Sequence, residues 1–489
     1  MNANWPVVKL GDYCTKIGSG STPRGGASVY LDKGEISLIR SQNIYNDGFN
    51  TNGLVYITEE SAAKLKNVII ESGDVLINIT GDSVARVCMA PDKYLPARVN
   101  QHVAIIRPKS NEFDARYIRY LLTSPAMQSY LLTIASVGAT RNALTKGMIE
   151  TLEVTKPPLS VQKSIADKLE ALENKILVNT EINQTLEQIA QAIFKSWFVD
   201  FEPVKAKIAA REALLAHNPT ATAEQIAQAE QQAAIKATSG DVNGFTSVVG
   251  DRTSGTTSGD VVLTEQLQTL ADLFPNQIVE SELGEIPEGW EVKSAEQVFD
   301  ITIGKTPPRK EPQWFSNSSI DMKWLSIKDM GDEGSFAVKT SERLTHEAVK
   351  KHNIKVVPRG TVLLSFKLTL GRVSITTEDM CTNEAIAHFR VNDKTPSSEW
   401  TYCFLKQYPF ESLGSTSSIA KAVNSKIIKA MPCLFANEVL INEFSSLVSS
   451  LFNKIELTIH ESNSLCDVRD TLLPKLLSGE IELTNMEVA

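Results

Sequence analysis

Ile303-Gly304-Lys305-Thr306 ends like a phosphate-cradling loop. Such a loop needs a glycine five positions before the Gly-Lys pair, so that backbone N–H groups can wrap the phosphates, and that position holds Phe299. The Pro-Pro pairs in KTPPRK and TKPPLS lack the Asn or Asp before them and the aromatic after them that amino-methylating enzymes set beside a target base. Glu291-Val292-Lys293 is a Glu-x-Lys triplet of the kind nucleases use, but it has no upstream acidic partner in a suitable setting. The six cysteines never form CxxC and the six histidines never form HExxH, so no metal cluster is expected. These residues read as reduced cytoplasmic thiols and dispersed imidazoles.

What remains is base-reading chemistry. Arginine offers a planar fork that fits guanine, and Asn or Gln can grip adenine through two bonds. Polar loops in the first half carry Arg24, Arg40, Gln42, Asn43, Arg86, Asn100, Gln101, Arg141 and Asn142. Those in the second half carry Lys305, Arg309, Lys328, Lys367, Arg372, Asn383, Lys421 and Asn424. Each could equally be a solvated loop residue or a turn former.

The elements that hold these loops come in two copies. IIESGDVLINITGDSVARV (69–87) is answered by VVPRGTVLLSFKLTLGRV (356–373), with Gly360 on Gly73 and Val362-Leu363 on Val75-Leu76. VNQHVAIIRP (99–108) is answered by TNEAIAHFRV (382–391), with Asn383 on Asn100, and Thr306-Pro307 falls on Thr22-Pro23. Short apolar runs bounded by Gly- and Pro-rich turns predict strands, and each copy adds one or two helices, so the fold class is α+β. The expected order is a domain over 1–157, a helix over 158–202, a linker insertion over 203–284, a second domain over 285–435 and a second helix over 436–480. Pro203 should break the first helix. TSGDVNGFTSVVGDRTSGTTSGDVV (238–262) reads as a flexible connector or exposed loop.

Both helices carry an unbroken four-three seam. The first runs Ile165, Leu169, Leu172, Ile176, Asn179, Asn183, Leu186, Ala190, Ile193, Trp197. The second runs Phe444, Val448, Leu451, Ile455, Thr458, Ser462, Leu465, Arg469, Leu472, Leu476. Such spacing keeps one stripe facing a partner helix. If the two pair as an antiparallel coiled coil, Asn179 faces Ser462 and Asn183 faces Thr458. This polar layer would penalise slipped registers.

The whole chain of 489 residues has a net charge of −9, which by itself does not suggest nucleic acid. By region, residues 1–156 carry about 17 Lys and Arg against 14 Asp and Glu, and residues 285–432 about 20 against 18. Two mildly basic units on an acidic frame are compatible with DNA binding. No apolar run is long enough for a transmembrane helix, and the first residues lack the basic start and apolar core of a secretory signal, so a cytoplasmic protein is expected. A self-sufficient DNA-cleaving enzyme using Glu291 and Lys293 and a coiled-coil adaptor that binds only protein are the competing classes.

IFKSWFVDFEPVKAK after the first helix, ESELGEIPEGWEV before the second domain and LLPKLLSGEIEL after the second helix resemble the specificity subunit of type I restriction-modification enzymes. The duplicated order resembles it too, so the likeness covers nearly the whole chain apart from 203–272. The resemblance implies two target-recognition domains on double-stranded DNA, held apart by the paired helices, and no catalytic centre in this chain. It implies docking of two modification subunits that use S-adenosylmethionine to methylate adenine N6. Restriction subunits would add ATP- and magnesium-dependent translocation and cleavage. At about 1.5 Å per residue, a seam of some 35 residues spans roughly 50 Å, more than a DNA turn of about 34 Å. The helix pair would then act as a ruler between two half-sites. Trp197, Phe198 and Phe201, with Leu476 and Leu477, are the expected docking surface.

Overall fold

The computed structural model describes residues 4–136, 142–239, 257–331, 334–367, 369–413 and 423–481. The chain forms two compact units, residues 1–177 with 462–489, and residues 178–461.

In the first unit Val75–Asn78 is buried at every position, as a continuous apolar run on a two-sided sheet should be. It pairs with Val103–Pro108 and Val87–Met89, and Val103–Pro108 pairs in turn with Cys14–Ser19, all antiparallel. Successive side chains point to opposite faces. Val75, Ile77, Ala104 and Ile106 therefore enter one core, shared with helix Ala115–Thr123, while Leu76 and Ile105 enter another. That second core lies under a sheet ordered Val55–Ile57, Ile36–Ile39, Ala97–Val99, Ile69–Ile70, whose middle pair is parallel. Val7–Lys9 pairs with Glu153–Thr155.

The second unit repeats this plan. Asp300–Ile303, Ile386–Arg390, Val362–Ser365 and Val373–Thr376 stand in the same order, with Phe336–Ala337 added at the edge. Met322–Leu325 runs parallel to Cys381–Thr382, and Glu291–Ser294 pairs with Pro432–Phe435. Gly73 and Gly360 share φ of 82°. A Cβ on Gly20 would lie 2.1 Å from the Asn100 carbonyl oxygen, and one on Gly304 would lie 2.1 Å from that of Asn383. Only glycine lets the chain pass there, in both copies. The tandem α+β architecture expected from the sequence is present.

The long helices run Leu159–Phe198 and Glu438–Leu477. Every seam position on both is buried or half-buried. They pair antiparallel. In the first unit Ile165 and Leu169 share a core with Leu473 and Leu476, and Arg469 lies 4.0 Å from Glu173. In the second, Phe194 meets Phe444 at 5.5 Å, Thr458 bonds Asn183, and Asn179 donates to Glu461 at 2.8 Å. The expected Asn183–Thr458 contact is therefore made. A glutamate on the first helix also grips each domain. Glu173 receives Arg119 at 2.6 and 2.8 Å and the Tyr120 hydroxyl at 2.8 Å. Glu187 receives Tyr402 at 2.6 Å and Ser335 at 2.8 Å.

Pro203 does not simply stop the first helix. The chain turns at Phe201, in left-handed backbone, and Pro203 then sits in the first turn of a new helix, Glu202–His217, where no N–H is needed. Helices Ala223–Ser239 and Thr257–Asp272 follow. Arg211 pairs with Glu230 at 2.5 Å, and Gln231 donates to Asp272 at 2.9 Å. The connector expected over 238–262 is helical at its C-terminal end, while 240–256 lie outside the described residues. Among the described residues no helix is long and apolar enough to cross a membrane.

Candidate nucleic-acid interface

In the first unit three turns meet around a groove of about 610 Å³. The turn after Ile36–Ile39 supplies Gln42 and Tyr45, the turn after Val75–Asn78 supplies Thr80 and Arg86, and His102 and Asn142 complete the wall. The Arg86 guanidinium lies 4.6 Å above the centre of the Tyr45 ring. His102 is held between the Thr80 hydroxyl at 2.6 Å and the Gln101 amide at 3.3 Å. Gln42 donates to the Gly53 carbonyl at 3.2 Å. The groove thus presents a cation, an imidazole and amides on a rigid strand frame. Residue type alone does not mark Thr80, Tyr45 and His102, although Tyr45 and His102 adjoin runs that hold candidates.

Three candidates of this copy are turn formers or braces instead. Asn43 is fully buried, donating to Asn50 and Asn52 carbonyls at 2.9 and 3.2 Å and accepting from the Arg40 N–H. Asn100 is buried and accepts from the His102 N–H at 3.1 Å. Arg40 donates to the Gly53 carbonyl and lies 5.3 Å from the Tyr30 ring centre. Arg24 is exposed on its own loop, away from the groove lining, and Arg141 lies outside the described residues.

The second unit offers the equivalent surface with other side chains. Asn383 bonds the Leu325 carbonyl as Asn100 bonds that of Ile39, which places Lys328 on Gln42 and Glu384 on Gln101. Lys328, Lys367 and Glu384 are exposed. Burial works against the Glu384 charge, but the hydrogen bond from Thr306 and the nearby Lys367 and Arg309 hold its carboxyl below the usual range. Glu384 is neither a cation nor an amide, so residue type alone does not mark it as a base reader. Other candidates here are committed to the protein. Arg309 forks onto Glu342 at 2.7 and 2.9 Å over Phe315 and Trp324. Lys305 donates to the His352 carbonyl at 2.6 Å, and Arg372 to that of Ile327 at 2.6 Å. Asn383 accepts from the Ala385 N–H at 3.1 Å, and Asn424 caps helix Ser425–Ala430. Lys421 lies outside the described residues.

Residues 2–188 and 287–432 match the model of the type I restriction modification DNA specificity domain. The chain belongs to this family. It is 29% identical to the type I restriction enzyme HindI specificity subunit of Haemophilus influenzae, over 84% of this chain and 87% of that one. It is 24% identical to the MjaIX specificity subunit of Methanocaldococcus jannaschii, over 99% and 95%. A solved S subunit from M. genitalium is 14% identical over 98% and 97%, with a TM-score of 0.47, too low a likeness to add to the assignment.

The two matched segments of this DNA specificity family are the two copies, and the helices at 202–272 fall between them. Of the aromatics expected to form an exposed docking surface, Trp197 and Phe198 are buried and Phe201 is half-buried. Trp197 is 1% exposed, edge-on to Phe274 and Phe444 at 5.4 and 5.9 Å. Phe198 packs on Trp290, Trp400 and Phe444, and Phe201 on Trp290 at 5.4 Å. Leu476 and Leu477 are buried in the core of the first unit. The apolar helix ends seal their own domains. Glu291 and Lys293 are exposed and pair with each other at 2.6 Å, which holds Glu291 below the usual carboxylate range. Among the described residues no group of three or more His, Cys, Asp or Glu could hold a metal ion.

Proposed function

We propose that this chain is the DNA-specificity subunit of a type I restriction-modification assembly, and that each copy reads one half of a bipartite site. The observation that carries this is one frame with two linings: Gln42 against Lys328, Gln101 against Glu384, an open Arg86 against a committed Arg372. Different donors and acceptors on matched turns read different bases, so the site is asymmetric. The paired helices set the unread spacer and carry two modification subunits. Those subunits bring S-adenosylmethionine and methylate an adenine flipped from the duplex. Restriction subunits bring ATP and magnesium. The assembly acts on cytoplasmic DNA.

A gel-shift titration of the reconstituted modification complex tests the reading. Sequence-selective binding that weakens steeply with salt is expected, since phosphate contacts release counterions. Binding indifferent to sequence would overturn it. The spacer role has its own test, a heptad added between a domain and the seam. The spacer should change and both half-sites stay; altered half-site sequence would remove the ruler.

A further inference from the structure

We infer that Arg86 is the residue with which the first copy grips a guanine, and that Asn78 is the positioning residue that leaves it free to do so. The inference rests on the DNA-reading function proposed above. Arg24 lies exposed outside the groove lining, and five other arginines of this unit are spoken for. Arg40 donates to Gly53, Arg98 to Ala97, Arg107 to Asp74, Arg116 to Asp114 and Arg119 to Glu173. Among the described residues the Arg86 guanidinium has no hydrogen-bond partner, yet it is held in place. It lies over Tyr45 at 4.6 Å on the groove wall. A guanidinium held by its face keeps its N–H edge for a ligand, and that edge matches guanine O6 and N7.

Its backbone is fixed as well. The Asn78 N–H donates to the Arg86 carbonyl at 2.9 Å, and the preceding Ala85 sits at φ 70°. The equivalent residue of the second copy is Gly371, at φ 89°. A side chain is tolerated at a left-handed position only where the surroundings enforce it. Here Ala85 is fully buried, and its carbonyl accepts from Gln128 at 2.8 Å.

The second copy shows what the arginine otherwise does. Ser365 stands where Asn78 stands, and Arg372 where Arg86 stands. In the first copy the Asn78 amide holds the Ser41 carbonyl at 2.8 Å. In the second the shorter Ser365 turns to the Thr369 carbonyl at 2.6 Å, and Arg372 holds the matching carbonyl of Ile327. One side chain must anchor the reading loop to the strand hairpin. Where asparagine does it, the arginine faces the groove.

The test is methylation by the reconstituted modification complex, with S-adenosylmethionine, on a plasmid library of randomised half-sites read by sequencing. Wild type should require a guanine in one half-site. Arg86→Lys keeps the charge but loses the fork, and should relax that base pair at least about tenfold while the other half-site stays unchanged as an internal control of folding. Asn78→Ser should relax the same base pair with Arg86 intact, by drawing it to the Ser41 carbonyl. An unaltered motif with Arg86→Lys, or a uniform loss across all sites, overturns the assignment alone. A wild-type complex without sequence preference overturns the proposed function and the assignment with it.

Discussion

Asn100 and Asn383 show how much a polar loop residue can do for its own fold. Each side-chain oxygen takes the backbone N–H two residues on at 3.1 Å, closing the turn before a central strand. Asn383→Ala should cost about 1 kcal/mol of stability, seen in denaturant unfolding, and leave the second half-site as it was. The residue types that read base edges are also those that form turns, so sequence alone nominates Asn43, Asn100, Asn383 and Asn424 without showing the turns and cap they make. Conversely, Tyr45 and Glu384 gain a place at the surface only from neighbours far along the chain. His388 carries a pH dependence. Its ring is buried between the Thr302 and Thr382 hydroxyls at 2.9 and 2.7 Å, and burial, helped by Arg390, pushes it down from 6.5 to about 4. The unfolded chain therefore binds a proton first. Stability from this group is complete above pH 6.5 and falls as the pH drops towards 4, by up to about 3 kcal/mol. Acid titration of the unfolding midpoint should show this loss, and His388→Gln should flatten it.

The helices were the most readable elements, because a four-three stripe states plainly that one face is covered. It does not state by what. At its ends the stripe is covered by each unit's own core, which is why Trp197 was misplaced at an outer surface. Trp197→Ala should destabilise the second unit by about 3–5 kcal/mol, read as a lower melting temperature. Loss of partner binding with stability unchanged would contradict this. The clamps between helix and domain were not readable, since Glu173 and Glu187 sit outside the seam and their partners are distant in sequence. Arg119 is 5% exposed, so Glu173→Ala leaves a buried cation without its carboxylate and should cost about 3–5 kcal/mol. Glu173→Gln should restore part of it through the amide oxygen.

At the scale of the whole chain, the duplication was legible because strand frames tolerate little change. Gly20 and Gly304, Gly73 and Gly360, and the buried runs after them are fixed by backbone sterics and two-sided burial. The helices of 202–272 have no counterpart in the first copy, so no internal comparison could define them. The same logic explains the function: what packing fixes is shared, and what faces outward differs. The most direct measurement is a genome-wide map of methylated adenines in a host carrying only this chain and its modification partner. One asymmetric motif is expected, with two short specified segments at a constant unspecified spacing. A contiguous or palindromic motif, or methylation without a motif, would contradict the account.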